Sequence, residues 1–146
     1  MRETYSTGMG PEAAALMAAA VRWVREQIAE PHLWLSFDRV AMPGSPHSMI
    51  LCSRGRACFL EFRPLGGPPR SVHERMVGEE LRRLGYHYEV LRSVAQLCRL
   101  LKAAGVQLAA EAEVAASTAD AKLMPELERA LRTRRVALKR RKGTGT

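Results

Sequence analysis

Apolar positions recur every three or four residues near the start of the chain, and this spacing predicts a helix over residues 11–30. Pro11 suits the first helical position, Glu12 suits the positive end of the helix dipole, and Pro31 ends the pattern. A short apolar run over 33–37 then predicts a strand. The chain is therefore expected to begin with a helix followed by a strand.

Two further apolar runs, 49–53 and 57–63, flank a short polar turn centred on Arg54 and Gly55. This arrangement predicts a β-hairpin. The segment before it, 38–47, holds two prolines and a glycine and is predicted to be a loop.

The second half of the chain alternates between helical and extended patterns. Ser71 followed by Glu74 is a capping box, which predicts the start of a helix that runs to about residue 84. The run 86–91 predicts a strand, and Ser93 predicts the start of another helix that ends at Gly105.

The last part of the chain is predicted to contain two further helical segments. Residues 109–121 are rich in Ala and Glu and only weakly amphipathic, and Pro125 is predicted to open a separate final helix over about 126–140. The full order of elements predicts an α/β fold, with a small mixed central sheet of about four strands flanked by helices. We expect one folded domain over residues 10–108 and a helical, basic extension over 109–146.

Positive charge is concentrated at the end of the chain. The protein has 146 residues and a formal net charge of +8, and residues 129–146 hold eight Lys or Arg without any Asp or Glu. A segment of this kind is attracted to polyanions, of which nucleic acid is the commonest, although it could also be a solvated, frayed helix end. The candidate contacts in this segment are Arg135, Lys139, Arg140, Arg141 and Lys142.

The sequence also argues against a membrane-spanning protein and against a protein held together by disulfides. No apolar run approaches the roughly 20 residues that a membrane span needs, so no membrane partner is expected. The three cysteines are an odd number without paired spacing, which favours free thiols in a reducing compartment. A cytoplasmic location is therefore predicted.

The most informative chemistry is at the end of the second hairpin strand. Residues two apart in a strand point to the same side, so Glu61 and Arg63 are predicted to project together while Phe62 faces the other way. A carboxylate and a cation at a strand end, beside a glycine-rich loop (65–69), are typical of metal-dependent nucleases. An ordinary ion pair at a strand end is the alternative interpretation.

Five segments around Glu61 occur in an order and at spacings that are typical of one protein family. They are Pro43-Gly44-Ser45-Pro46-His47, Phe59-Leu60-Glu61-Phe62-Arg63, Gly66-Gly67, Ser71-Val72-His73-Glu74 and Gly85-Tyr86-His87-Tyr88-Glu89-Val90-Leu91-Arg92-Ser93. In these segments the chain resembles the virus-type replication-repair nuclease (VRR-NUC) family of the PD-(D/E)xK superfamily, over about residues 12–108. The resemblance implies a restriction-endonuclease-like core in the order αβββαβ and a metal-dependent DNA nuclease that hydrolyses phosphodiester bonds.

The active-site positions of that family are only partly kept. Glu61 matches, but His47 (or Ser48, if the register shifts by one) stands where the family has aspartate. Arg63 replaces the lysine, and Glu74 replaces a glutamine at the helix start. Arginine stays protonated and cannot act as a base, although it binds phosphate well. The resemblance therefore implies an active site that is altered and could have lost its activity.

The resemblance also implies a ligand set for a divalent ion. Glu61, His47 and Glu12 would bind Mg²⁺ or Mn²⁺, with Glu61, Arg63, His47 and Glu74 as the catalytic group. Imidazole suits Mn²⁺ better than Mg²⁺. Glu12 could instead be a solvated first-turn residue, and Glu74 could serve only the capping box.

Three functions remain open from the sequence. The first is a metal-dependent DNA nuclease, and the second is an inactive nuclease fold that binds nucleic acid. The third is an interaction module whose basic end contacts an acidic protein. Family members suggest a homodimer or association with replication and repair proteins. Further cations that could follow a phosphate backbone are Arg39, Arg54, Arg56, Arg70 and Arg92.

Overall fold

The computed structural model describes residues 9–39, 41–65 and 69–143. These residues form, in chain order, α1 (Pro11–Gln27), β1 (His32–Ser36), β2 (Ser48–Cys52), β3 (Arg56–Phe62), α2 (Val72–Arg83), β4 (His87–Leu91), α3 (Val94–Ala103) and α4 (Ala112–Gly143). The predicted order from the first helix to the third is confirmed, with ends that differ by a few residues at most.

The four strands form one mixed sheet in the order β1-β2-β3-β4. Strand β2 pairs antiparallel with both β1 and β3, so the predicted hairpin is confirmed, and β3 pairs parallel with β4. A parallel pair needs a crossover connection, and α2 supplies it. The predicted α/β class, with a mixed sheet of four strands and helices around it, is therefore confirmed.

Alternate side chains of β3 face opposite sides of the sheet, one side towards the core and the other towards the candidate site. Cys58, Leu60 and Phe62 point into the core, where each is at most 1% exposed. This is the side covered by α1, as the hydrogen bond from Ser48 Oγ on β2 to Met17 Sδ indicates. The side chains between them face the opposite side of the sheet, where α2 packs against β4.

The last helix differs from its prediction. Residues 112–143 form one continuous helix, so the prediction that Pro125 opens a separate helix is wrong. Pro125 is exposed and lacks the N–H that would bond to the carbonyl of residue 121, but the helix continues past it. Buried Leu123 and half-buried Leu127 on either side pack against the core and keep the helix in register.

Helix α4 is packed against the rest of the fold over much of its length. Trp23 Nε1 on α1 donates a hydrogen bond of 3.1 Å to the carbonyl of Ala112. The Asp120 carboxylate accepts hydrogen bonds from the backbone N–H groups of Val94 and Ala95, at 2.7 and 3.0 Å, at the start of α3. The domain boundary at residue 108 stays a prediction, but the first part of α4 belongs to the same hydrophobic core.

Two further sequence expectations concern compartments. Within the described ranges, no helix is both long enough and apolar enough to cross a bilayer. Cys58 and Cys98 are buried free thiols and Cys52 is a half-buried one. The cytoplasmic location stays a prediction.

Candidate nucleic-acid site

The end of β3 positions the central carboxylate. Glu61 is 1% exposed and points away from the core, while Phe62 points into it. Arg63 follows the strand, and its backbone N–H donates to the Leu91 carbonyl at 2.8 Å, which extends the pairing with β4. As the strand alternation predicts, Glu61 and Arg63 lie on the same side, with Arg63 Nη2 3.7 Å from Glu61 Oε1. The neighbouring glycines of the predicted loop, 66 and 67, lie outside the described residues.

Three arginines surround two glutamates on this side of the sheet, and we name this group the Arg–Glu cluster: Arg39, Arg63, Arg70, Glu61 and Glu74. Arg39 Nη2 lies 3.4 Å from Glu61 Oε1 and 2.9 Å from Glu74 Oε1. Arg63 pairs closely with Glu74 Oε2, and Arg70 Nε lies 3.5 Å from Glu61 Oε2. The ion pair predicted between Glu61 and Arg63 is thus one contact in a larger network that carries one more positive than negative charge.

Tyr88 completes the surroundings of Glu61 from β4. Its hydroxyl donates a hydrogen bond of 2.5 Å to Glu61 Oε2 and accepts one of 2.7 Å from Arg70. Burial raises the pKa of Glu61, and the nearby Glu74 adds to this rise, while the hydrogen bond from Tyr88 opposes it. Burial and the same hydrogen bond raise the pKa of Tyr88. The tyrosine therefore stays protonated and acts as a fixed donor to Glu61.

Glu74 lies at the start of α2. Its backbone N–H donates to Ser71 Oγ at 3.1 Å, so the predicted N-cap is confirmed. Burial alone would raise the pKa of Glu74, but the ion pairs with Arg63 and Arg39 and a hydrogen bond with Glu61 outweigh it and lower the pKa. Because the pKa of Glu61 moves the other way, Glu74 is the more strongly ionised member of the pair.

His47 lies just before β2 and is 4% exposed. The backbone N–H of Phe62 faces Nδ1 at 2.9 Å, and Arg39 Nη1 faces Nε2 at 2.7 Å. A neutral imidazole can accept at only one nitrogen, so only one of these contacts is a hydrogen bond at a time. Burial, followed by the charges of Arg39 and Arg63, lowers the pKa of His47 to about 3. The ring is therefore neutral at physiological pH.

A cavity of about 230 Å³ lies beside the cluster, between the first turns of α1 and α2 and the end of β3. Glu12, Arg39, His47, Arg63 and Glu74 all contribute to its lining. Glu12 is 1% exposed, so the alternative that it is a solvated first-turn residue is wrong. The structure thus brings every predicted catalytic or metal residue to one place, since Glu61 contacts Arg39 and Arg63 of this lining.

A long-range ion pair joins this cavity to the basic end of α4. Arg134 Nη1 lies 3.3 Å from Glu12 Oε1, because α4 runs antiparallel to α1. The helix continues for nine residues past Arg134, over Arg135–Gly143, which adds about 13 Å at the helical rise per residue. The predicted basic contacts Arg135, Lys139, Arg140, Arg141 and Lys142 lie on this exposed end.

The side chains present do not fit a divalent ion in this arrangement. Glu61 has one oxygen facing Arg39 and the other bonded to Tyr88, and both oxygens of Glu74 face arginines. The nitrogens of His47 face two donors. Across 9–39, 41–65 and 69–143, no group of three or more His, Cys, Asp or Glu could hold a metal. A Mg²⁺ or Mn²⁺ cofactor stays a prediction, and these contacts weigh against it.

The cations at the hairpin turn lie away from the cluster. Arg56 begins β3, about 17 Å along the strand from Glu61, and Arg54 lies in the turn before it. Arg56 donates to both carboxylate oxygens of Glu30, at 2.8 and 2.7 Å, and to the carbonyls of Ser53 and Gly105. Its nucleic-acid role stays a prediction, and its contacts are those of a structural arginine.

Sequence reasoning missed two members of the site. No chemical signal in the sequence pointed to Tyr88. It lies two residues before Val90, which pairs with Glu61, so the parallel register with β3 places it near Glu61. Arg134 was included only in a run of positive charge. It occupies the position seven residues after Leu127, which continues the buried stripe of α4 and could have indicated that it faces α1.

No protein-family model matches the chain, and no curated protein matches it. A solved structure described as a "VRR_NUC domain" is similar to it, with 21% sequence identity and a TM-score of 0.49. The match covers 64% of this chain and 97% of that one. That description names the family that the five sequence segments resemble.

Proposed function

We propose that the protein binds the phosphate backbone of nucleic acid, most simply DNA, through the Arg–Glu cluster and the basic end of α4, and that it does so without metal-dependent hydrolysis. The observation that carries this proposal is the charge of the cluster. At the strand end where a nuclease fold has its metal ligands, three arginines surround two glutamates. The excess positive charge favours an anion over a divalent cation.

The arginines of the cluster suit phosphate chemically. A guanidinium holds its charge at any physiological pH and presents paired N–H groups that match the oxygens of a phosphate. Arg39 and Arg63 both line the cavity, with 15% of each side chain exposed. A phosphate entering the cavity would compete with the Glu74 carboxylate for these two arginines.

The end of α4 supports contacts to further phosphates. Arg135, Lys139 and Lys142 are spaced four and three residues apart, so they form one stripe along the helix, and all three are exposed. The ion pair between Arg134 and Glu12 holds the beginning of this stripe close to the cavity. A nucleic-acid strand that reaches the cavity would therefore meet the stripe within two helical turns.

Binding and cleavage of labelled single-stranded, duplex and forked DNA test the proposal together. We expect fluorescence anisotropy to report the same affinity in EDTA, Mg²⁺ and Mn²⁺, with no product on a denaturing gel. Replacing Arg135, Lys139 and Lys142 by Gln should weaken binding and lower the slope of log K against log salt by about 2–3. The matched control replaces exposed Arg22, Arg25 and Arg99 by Gln, which removes the same charge and should leave the slope unchanged.

Two results would contradict this function. One is equal affinity and salt dependence for the two triple variants, which would turn attention to an acidic protein as the partner of α4. The other is metal-dependent cleavage that is lost in Glu61→Gln. That result would favour the second candidate, a VRR-NUC-like nuclease, which the shared cavity of Glu12, His47 and Glu74 supports. A homodimer and association with replication or repair proteins stay predictions.

A further inference from the structure

Arg39 contacts His47 and Glu61, the two residues that the sequence predicts for both metal binding and catalysis. It also contacts Glu74, which the sequence predicts for catalysis alone. Arg39, in the loop between β1 and β2, has Nη1 2.7 Å from His47 Nε2. Its Nη2 lies 3.4 Å from Glu61 Oε1 and 2.9 Å from Glu74 Oε1. The guanidinium therefore stands at the centre of three side chains that come from the start of β2, the end of β3 and the first turn of α2.

We propose that Arg39 is a built-in cation that takes the place of a divalent ion between Glu61, Glu74 and His47. The cluster is then assembled by the chain alone and does not need a metal. The proposal goes beyond the function proposed above, because it concerns what holds the site together and not what the site binds.

The Glu61 side chain is 1% exposed and that of Glu74 is 13% exposed, and two ionised carboxylates so shielded from water need a positive charge between them. A metal ion would supply that charge only while bound, whereas a guanidinium is covalently tethered and always charged. Arg39 is well placed for this task, since its guanidinium lies within 3.4 Å of both carboxylates. Its side chain is 15% exposed, whereas that of Glu61 is 1% exposed. The nearby Arg63 and Arg70 add to the positive charge, so an additional divalent ion would be repelled.

His47 takes part in the same replacement. A carboxylate at this position would bring the negative charge that attracts an ion, whereas the imidazole is neutral. Its two nitrogens are already directed at Phe62 N–H and Arg39. The change to histidine and the presence of Arg39 therefore act together, and reversing both is needed to restore a cation site.

This reasoning leads to a double-variant experiment on the full chain. Mn²⁺ binding is measured by isothermal titration calorimetry, and thermal unfolding is followed with and without EDTA and Mn²⁺. We expect no Mn²⁺ binding and no shift in the unfolding midpoint for the wild type. His47→Asp alone should behave in the same way, because Arg39 would pair with the new carboxylate. Arg39→Ala/His47→Asp should show measurable Mn²⁺ binding, at least about tenfold tighter than the detection limit that bounds His47→Asp alone.

A control separates the site from a general loss of charge. Arg75→Ala, on the exposed side of α2, combined with His47→Asp removes an arginine without opening the cluster and should gain no Mn²⁺ binding. If the alanine double variant does not fold, Arg39→Gln/His47→Asp keeps the side-chain length and serves instead.

The proposal is wrong if the wild type binds Mn²⁺ or is stabilised by it. It is also wrong if the folded double variant binds Mn²⁺ no better than His47→Asp does. Neither result depends on DNA affinity, so failure of this proposal is distinguishable from failure of the proposed function, which anisotropy measures.

Discussion

Arg134 on α4 and Glu12 on α1 are 122 positions apart in the chain, yet Arg134 Nη1 lies 3.3 Å from Glu12 Oε1. Glu12 is 1% exposed, so removal of its partner would leave a buried charge without compensation. Arg134 is about one-third exposed, which moderates the effect because solvent screens the pair.

We predict that Arg134→Ala lowers the free energy of unfolding by about 1–3 kcal/mol, measured by urea denaturation. Glu12→Gln in the same background should recover part of this loss, because a neutral amide needs no cation. Arg135→Ala, at the adjacent exposed position, is the matched control and should change stability by less than about 0.5 kcal/mol. Equal effects of the two arginine variants would show that the ion pair has no role in stability.

The His47 ring gives the protein a defined response to acid. The unfolded chain takes up a proton at this residue near pH 6.5, whereas burial, Arg39 and Arg63 lower its pKa in the folded state to about 3. The free energy of unfolding should therefore fall as the pH drops from 6.5 towards 3, by about 1.4 kcal/mol per pH unit from this group.

Urea denaturation at a series of pH values between 7 and about 4 would measure this slope. His47→Asn retains an oxygen that can accept from Phe62 N–H but does not titrate, so its slope should be smaller than that of the wild type. His73→Asn changes an exposed histidine and should keep the wild-type slope. A slope unchanged in His47→Asn would mean that other groups cause the acid sensitivity.

Close packing between α2 and β4 requires a glycine. A Cβ at Gly78 would lie 2.5 Å from the Cε1 atom of Tyr88, whose ring is held by Glu61 and Arg70. Gly78→Ala should therefore destabilise the fold by about 1–3 kcal/mol. This loss would exceed the gain of about 1 kcal/mol that alanine normally brings to a helix interior.

The comparison for Gly78 is Gly143→Ala, because a Cβ there would meet no atom within 4 Å. The midpoint of thermal unfolding should decrease clearly for Gly78→Ala and should not decrease for Gly143→Ala. An unchanged midpoint for Gly78→Ala would show that the Tyr88 ring can shift and that the contact with α2 is loose.

Arg56 is expected to support the fold and not to bind nucleic acid. Arg56→Ala would remove its paired bonds to Glu30 and its bond to the Ser53 carbonyl, and should cost about 1–3 kcal/mol. Arg54→Ala removes the same charge from an exposed neighbour and should cost little. DNA affinity, measured where both variants are folded, should be the same for the two, and a selective loss in Arg56→Ala would contradict the structural role.

The hairpin and its chemistry could be predicted because they depend on local patterns. The alternation in β3 sets Glu61 and Arg63 on one side and Phe62 on the other, whatever the rest of the chain does. The capping residue Ser71 and the start of α2 likewise follow from a few adjacent positions. In each case neighbouring residues decide the geometry.

The members of the Arg–Glu cluster depend on contacts between distant segments, and these were not predictable in the same way. Nothing local indicates that Arg39 reaches across to Glu61 and Glu74. The continuity of α4 was also missed, because the packing of Leu123 and Leu127 on the core outweighs the preference of Pro125 for a helix start. Glu12 did leave a signal, since it lies four residues before buried Leu16 and so falls on the core-facing stripe of α1.

The bond between Asp120 and the first turn of α3 has a consequence for how the chain matures during synthesis. The backbone donors of Val94 and Ala95 receive their acceptor from a residue made later, so a nascent chain that stops short of it has only the Ser93 cap at this helix start. Domains tend to fold from the N-terminus as they are made. Here the sheet can form before residue 120 is made, but the first turn of α3 gains these two hydrogen bonds only afterwards.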